Sequence, residues 1–324
     1  MGNAFVDGHK IENLILAWSS KNKPVLEISS GDRVTFSVPD SSTNQVKLGS
    51  PASSVSMKDG SLTDAAVGPV YVRGAKKKDI LRVEILDIRC GNWGWSMHSP
   101  DFGLLPEIFP ERKVYYWSIQ DGYARPYRNE FLKGLSLRTR PFMGVMGVAP
   151  SAKSDYPLIP PQYFGGNMDN RRIRRGSVVL FPVNVDGALF ATADTHALQG
   201  DGEVCGTAIE TESRLSLRIS VIPAKEATGS LTAPLVISRE YREESAFIST
   251  SGISSDPYKA AKSAVSQMID LLSEAGLDRS EAYVLCSLAG NLSVGEVVDM
   301  PNWNIVFSID TAILDKLGLE IQSF

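Results

Sequence analysis

Cysteine and histidine are scarce: the 324-residue chain holds three of each. Cys90, Cys205 and Cys286 lie far apart, their number is odd, and no CxxC pair exists. That excludes a disulfide framework and a thiolate zinc site as organising devices. No apolar stretch approaches the length of about 18 residues that a membrane-spanning helix needs. The N-terminus, MGNAFVDGHK, lacks the apolar run of a secretory signal, and Val6 stands where a myristoylation motif wants Ser or Thr. A reducing cytoplasm is therefore the expected setting, and no membrane is expected as a partner. The familiar catalytic signatures are missing too: no HExxH, no GxSxG elbow, no P-loop and no GxGxxG. Net charge is −4 and the pI about 5.6, so no nucleic-acid partner is expected. The one basic run, at 171–175, is short and has no interleaved aromatics; it reads as a solvated turn or a subunit contact. What is present is an ordinary globular composition, 43% hydrophobic and 22% charged, in a chain long enough for one large or two modest domains.

Short alternating runs dominate as far as about residue 222. Val34, Phe36 and Val38 sit at period two, as do Leu81, Val83 and Ile85, and again Leu215, Leu217, Ile219 and Val221. This is the pattern of half-buried strands. Val178–Val183 and Ala188–Ala193 are near-continuous apolar runs that read as strands buried on both faces. Asp186–Gly187 between them is a strong hairpin signal. The character changes near residue 225. Asp256 can cap a helix starting at Pro257, with Ala261, Ala264, Val265, Met268 and Leu272 on one face and Gly276 as the stop. Asp278 and Glu281 resemble a capping box opening a second helix through Ala289. Asn304–Ser308 reads as a strand and Asp310–Leu317 as a last short helix. The expected fold is mainly β: a sandwich- or barrel-like body over 1–225, then a smaller α+β part over 226–324.

One segment carries far more ionisable chemistry than its β-like surroundings, FATADTHALQGDGEVCGTAIE from Phe190 to Glu210. Residues at i and i+2 share a strand face, so Asp194 and His196 project together. Gln199–Gly200–Asp201–Gly202 reads as a turn, with Glu203–Glu210 returning as the partner strand and bringing Glu203 beside them. An imidazole with carboxylates fits zinc, and a carboxylate-richer set fits calcium or magnesium. Glu210 is expected to lie too far along an extended strand to join. In Gly165–Gly166–Asn167–Met168–Asp169 the glycines let backbone approach a ligand closely, and Asp169 is a candidate third ligand. A plain polar hairpin fits these spacings as well. Cys205 could serve as a nucleophile with Glu203 or His196 as base, although single cysteines are more often apolar filler. His98, beside Trp93, Trp95 and Phe102, could line a substrate cleft or simply pack a loop against a sheet.

Several long motifs then fall into register with a known family. ATADTHALQGDGE followed by VCGTAIE resembles the signature of the acetamidase/formamidase family. So do GPVYVRGAKKKDILRVEILDI (68–88), GWSMHSPDFGLL (94–105), PFMGVMGVAP (141–150), GGNMDN (165–170), MIDLLSEAGLDRSEAYVLCSLAGNL (268–292) and EVVDMPNW (296–303). The resemblance runs from about residue 65 to about residue 305 in the family's order. It implies hydrolysis of short linear amides to a carboxylate and ammonia, a β-rich body with an α+β C-terminal part, a homodimer or higher homo-oligomer, and an associated divalent metal. Asp194, His196, Gln199, Asp201 and Glu203 fall on the family's D-x-H-x-x-Q-G-D-G-E, and Asn167 and Asp169 on GGNMD. There are departures. Ala193 stands where many relatives have Gly, Thr195 where they have a larger apolar residue, Arg73 replaces a usual Glu, and His98 is not typical of its loop.

The resulting expectation is metal-assisted attack of water on a small amide. Asp194, His196 and Asp169 would hold the metal, with zinc favoured and calcium possible. Glu203 would move the proton, with Asp201 and Asn167 as its catalytic companions. Gly165 and Gly166 would join Asn167 in steadying the oxyanion and, with Gln199 and His98, contact substrate. The alternatives are a metal-free cysteine amidase using Cys205 and a non-catalytic β-module that binds a cation or small ligand.

Overall fold

The structure is a computed structural model that describes residues 2–56, 59–151, 154–159, 162–227, 234–237, 247–296 and 303–319. The chain is mainly β, with its longer helices towards the C-terminus. It divides into two compact units, and both are discontinuous in sequence. The first comprises Met1–Gly91, Pro141–His196 and Thr211–Glu240; the second comprises Asn92–Arg140, Ala197–Glu210 and Tyr241–Phe324. The change near residue 225 is thus one of sequence character, while the compact units interleave along the chain.

In the first unit a six-stranded sheet has the order Asn3–Asp7, Arg33–Val38, Ser213–Ile222, Ile80–Cys90, Val178–Pro182, Leu235–Ile237. Its period-two residues set the register: Leu217 lies opposite Val34, and Ile219 opposite Val83. Val34, Phe36, Leu81, Val83, Leu215, Leu217 and Ile219 are buried on one face. The same core takes in Val70, Met143, Val145, Phe190 and Ala191 from a second layer. In that layer Phe190–His196 pairs with Phe142–Gly147 on one side and Ala66–Arg73 on the other. Two layers closing on one apolar core are a β-sandwich, and Phe190 joins them by meeting Phe36 and Phe181 edge-on at 6.2 and 6.1 Å.

The Asp186–Gly187 pair does not close a hairpin. Val178–Pro182 pairs within the first sheet, whereas Phe190–His196 belongs to the second. Gly187, Ala188 and Leu189 all have positive φ (77°, 57° and 56°), and this run carries the chain from one layer to the other. Each strand has apolar residues to bury, and facing each other across the core buries them more fully than lying side by side.

The second unit contains an antiparallel meander. Trp93–His98, Lys113–Gln120, Tyr123–Pro126 and Leu137–Arg138 pair in sequence order, with Glu210 opposite Trp95 at the far side. It also contains the sheet Phe247–Ser254, Trp303–Asp310, Gly290–Glu296, in that order. The helix Pro257–Glu274 begins where the sequence marks it: the Asp256 carboxylate accepts from the N–H groups of Tyr258 (2.9 Å) and Lys259 (3.2 Å). Ala260, Ala264, Val265, Met268, Ile269 and Leu272 form its buried face, and Gly276 at φ 106° ends it. Asp278 caps the helix Arg279–Ala289 in the same way. Residues 297–302, most of the EVVDMPNW motif, lie outside the described residues. No helix among the described residues is long and apolar enough to cross a membrane.

Candidate functional site

The first unit builds a cluster of donors on the strand Phe190–His196. The strand Phe142–Gly147 runs antiparallel to it, with Met143 opposite Thr195 and Val145 opposite Ala193. Between these pairs Gly144 faces Asp194. Asp194 takes φ 59°, a left-handed conformation that aspartate tolerates better than most residues. Two residues on, His196 brings Nε2 to 3.0 Å from the Asp194 carboxylate. A carboxylate only accepts, so Nε2 is the donor in this contact. Nδ1 in turn lies 3.9 Å from Asp169 Oδ1. The imidazole is thus bracketed by two carboxylates. Asp194 and His196 are buried and Asp169 is half-buried. Phe142 packs edge-on against the His196 ring at 5.0 Å.

Gly144 is what leaves room for this cluster. A Cβ at that position would stand 2.2 Å from Asp194 Oδ2, 2.7 Å from Asp169 Oδ1 and 3.0 Å from His196 Cε1. Two carboxylate oxygens and an imidazole edge therefore converge on a space that any side chain would fill. The Gly144 carbonyl also accepts from the N–H groups of Met168 (2.9 Å) and Asp169 (3.2 Å), which hangs the Asp169 loop on the same strand. Asp169, Asp194 and His196 are all members of acidic and imidazole groupings whose donor atoms lie close enough together to hold a metal ion. Sequence reasoning quoted PFMGVMGVAP without giving Gly144 a role. A glycine inside a strand pattern is itself a sign of close approach.

The strand Gly165–Asn167 pairs with Val145–Gly147, and here too glycine is required. Gly165 has φ 103°, and a Cβ on it would lie 2.4 Å from the Met146 carbonyl oxygen. The Gly165 N–H donates to the Gln162 carbonyl at 3.0 Å and is therefore engaged within the fold. Asn167 Oδ1 is buried, with no hydrogen-bond partner among the described residues.

His196 closes a segment of the first unit, and Ala197 opens one in the second. There the Ala197 N–H donates to Ile209 O and the Ile209 N–H to Leu198 O, forming a short hairpin stem. Beyond it the expected partner strand over Glu203–Glu210 does not form. Gly200–Gly206 is a chain of turns, and regular strand resumes only at Glu210. Gln199 is buried, Asp201 half-buried, and Glu203 has φ 41°. Successive turns win because Gly200, Gly202 and Gly206 are interleaved with the would-be strand residues.

The second unit also holds His98 and Cys205. His98 is 2% exposed, hydrogen-bonds Ser280 Oγ through Nε2 at 2.6 Å, and packs among Phe109, Tyr115 and Tyr283. Burial lowers its pKa. Cys205 is buried with its Sγ 3.5 Å from the Thr207 carbonyl, and desolvation raises its thiol pKa. Arg73 is exposed and pairs with Glu27 at 3.5 Å.

Comparison with known proteins agrees with this architecture. The profile of the Acetamidase/Formamidase family matches residues 9–155 and 152–316. Formamidase from Methylophilus methylotrophus is 24% identical, the match covering 92% of this chain and 88% of that protein. Acetamidase from Mycolicibacterium smegmatis is 26% identical over 231 residues, 52% of this chain, so the match spans just over half (56%) of that enzyme's length. Among solved structures, a predicted acetamidase/formamidase from Thermoanaerobacter tengcongensis shares 30% identity, with a TM-score of 0.67 over 98% of this chain and 99% of that one. A gamma lactamase from Delftia acidovorans superposes with a TM-score of 0.90 over 100% of this chain and 95% of its own, at 22% identity, which speaks for the fold alone. The chain belongs to the acetamidase/formamidase family.

Proposed function

We propose that this protein hydrolyses short linear amides of the formamide and acetamide class to carboxylate and ammonia, at a site that holds one divalent cation, zinc before calcium. The observation that carries this reading is the space in front of Gly144, lined by Asp194, Asp169 and His196. The M. methylotrophus formamidase and the M. smegmatis acetamidase supply the substrate class by their names.

His196 Nδ1 and an Asp169 oxygen offer lone pairs to the cation. Asp194, with both oxygens 3.0 Å from Nε2, orients the ring and would be the third group to hold the cation. A bound divalent cation supplies Lewis acidity towards the amide carbonyl and towards water. Glu203, assigned from its GDGE turn, takes a proton from the attacking water as the C–O bond forms and returns it to nitrogen as the C–N bond breaks. Asp201 shares that turn. Asn167 is assigned to substrate because its buried Oδ1 can accept from an amide N–H; with the Gly165 N–H engaged, Asn167 is also the better candidate for steadying the oxyanion. Gln199 and His98 retain the weaker assignment of supporting the substrate pocket. Cys205 is a poor nucleophile for the same reaction, because a buried thiol with a raised pKa holds almost no thiolate at neutral pH. Homo-oligomerisation, which the family implies, is tested by the mass in solution.

The decisive experiment measures ammonia release from formamide and acetamide by purified protein, by chelator-stripped protein, and after adding back zinc or calcium. Turnover lost on stripping and restored by one ion supports the assignment. Full turnover in stripped protein removes the metal role, and stoichiometric ion without turnover on any short amide removes the amidase reading.

A further inference from the structure

Glu203 sits in a chain of turns, with no regular strand to aim it. Its N–H donates to Gly200 O at 3.3 Å, and its carbonyl accepts from the Gly206 N–H at 2.8 Å. What fixes the turn is the C-terminal part of the second unit. The Gly200 N–H donates to Ser287 O at 3.0 Å, the Leu292 N–H donates to Asp201 O at 2.9 Å, and the Asp201 N–H reaches Asn291 Oδ1 at 3.4 Å. The approach is backbone on backbone. A Cβ on Gly200 would stand 1.5 Å from Gly290 O, and one on Gly202 2.7 Å from Leu292 Cβ. Gly290–Glu296 is an edge strand of its sheet, and the turn occupies part of that edge. On the other side of Glu203, the Val204 carbonyl accepts from the Leu104 N–H at 2.9 Å and from the Tyr283 hydroxyl. Tyr283 and Ser287 are one turn apart on the helix Arg279–Ala289, and the Ser287 hydroxyl also donates to Thr207 O at 2.7 Å. One helix and the strand that follows it thus grip the turn at residues 200, 201, 204 and 207.

We infer that the junction between the helix Arg279–Ala289 and the strand Gly290–Glu296 is a positioning element for amide hydrolysis, with Asn291 and the close contact at Gly290 aiming Glu203 through the Gly200–Asp201 backbone. This rests on the assignment of Glu203 as the base. The C-terminal region, which sequence character sets apart as a smaller companion domain, is then part of the catalytic apparatus.

The test compares Asn291→Ala, Asn291→Asp, Gly200→Ala and Glu203→Gln in the metal-loaded, full-length protein, with formamide as substrate and ion content measured on each variant. Misplacing a reacting group by about 1 Å costs on the order of 100-fold in rate. Gly200→Ala should therefore lose roughly 100-fold in kcat, and Asn291→Ala, which removes one long hydrogen bond, roughly 10-fold. KM and bound ion stay at parental values in Asn291→Ala. The acid limb of its kcat/KM pH profile, which reports the base, moves. Asn291→Asp keeps the acceptor oxygen and restores kcat, which a loss of packing alone would not produce. If Gly200→Ala does not fold, the two Asn291 variants decide the matter. Parental kcat and pH limb in Asn291→Ala beside an inactive Glu203→Gln overturn the positioning role while leaving Glu203 as base. Parental turnover in Glu203→Gln overturns the base assignment itself, and the positioning role with it.

Discussion

Gly144→Ala tests the metal reading with a single methyl group. The new Cβ would lie 2.2 Å from Asp194 Oδ2 and 2.7 Å from Asp169 Oδ1, where ordinary contacts begin at 3.4 Å. One carboxylate must therefore retreat by about 1.2 Å or the strand must shift. Neither is free to happen locally: Asp194 contacts His196 at 3.0 Å, and the Asp169 N–H is tied to the Gly144 carbonyl at 3.2 Å. Disturbing the partners of metal ligands typically costs 10- to 100-fold in affinity, or about 1.4 to 2.8 kcal/mol. Overpacking a filled interior costs a further ~1–3 kcal/mol of fold stability. Two measurements separate these effects. Zinc affinity is read by competition with a chromophoric chelator well below the melting temperature, and thermal unfolding is followed with and without zinc. The parent should gain stability from zinc by mass action, while folded Gly144→Ala gains little. Parental zinc affinity in a folded Gly144→Ala protein would refute the claim that this space is the ion's.

Other consequences are simpler to check. Cys205→Ala should keep ammonia release near the parental rate, because the buried thiol takes no part; a loss beyond 100-fold with the fold intact would restore the cysteine mechanism. His98 is held neutral by burial, so its folded pKa lies below the unfolded value of about 6.5. The unfolded chain then binds the proton first, and the stability contributed by neutral His98 is present above that value and lost as pH falls towards the folded pKa. Melting curves between pH 7.5 and pH 5 should show a steeper decline in the parent than in His98→Gln, and equal slopes would contradict this. Asp256→Ala removes the acceptor for two helix N–H groups and should cost about 1 kcal/mol in urea unfolding, without changing KM for formamide.

The local grammar of the chain was largely legible. Val34, Phe36 and Val38 alternate in the sequence and are all buried within Arg33–Val38. Asp256, Pro257 and Gly276 mark a helix whose cap and stop are found at those residues. Partnership between distant strands was less legible. Asp186–Gly187 signals a reversal, and no local rule tells which layer the next strand will join. The glycines at 200 and 202 were read as one turn and Gly206 as part of a strand, whereas the segment 290–292 uses the absence of side chains at 200 and 202 to approach. At the candidate site, the i, i+2 spacing brought Asp194 and His196 into contact as expected, and GGNMD supplied Asp169. Gly144 escaped notice because its contribution is empty space, and that has meaning only once the strand opposite is known. His98 read as a loop residue among aromatics. Its hydrogen-bond partner, Ser280, is 182 residues away in sequence, beyond the reach of any pattern.

The interleaving of the two units bears on how the protein can be made. Ser213–Ile222 lies between Arg33–Val38 and Ile80–Cys90 in its sheet. During synthesis those two earlier strands must wait, each with a bare edge, for more than a hundred residues to emerge before the strand that unites them arrives. Nascent chains stalled just short of residue 213 should therefore be sticky and dependent on chaperones, and fragments cut at the apparent boundary near residue 225 should not yield a second unit that folds unaided.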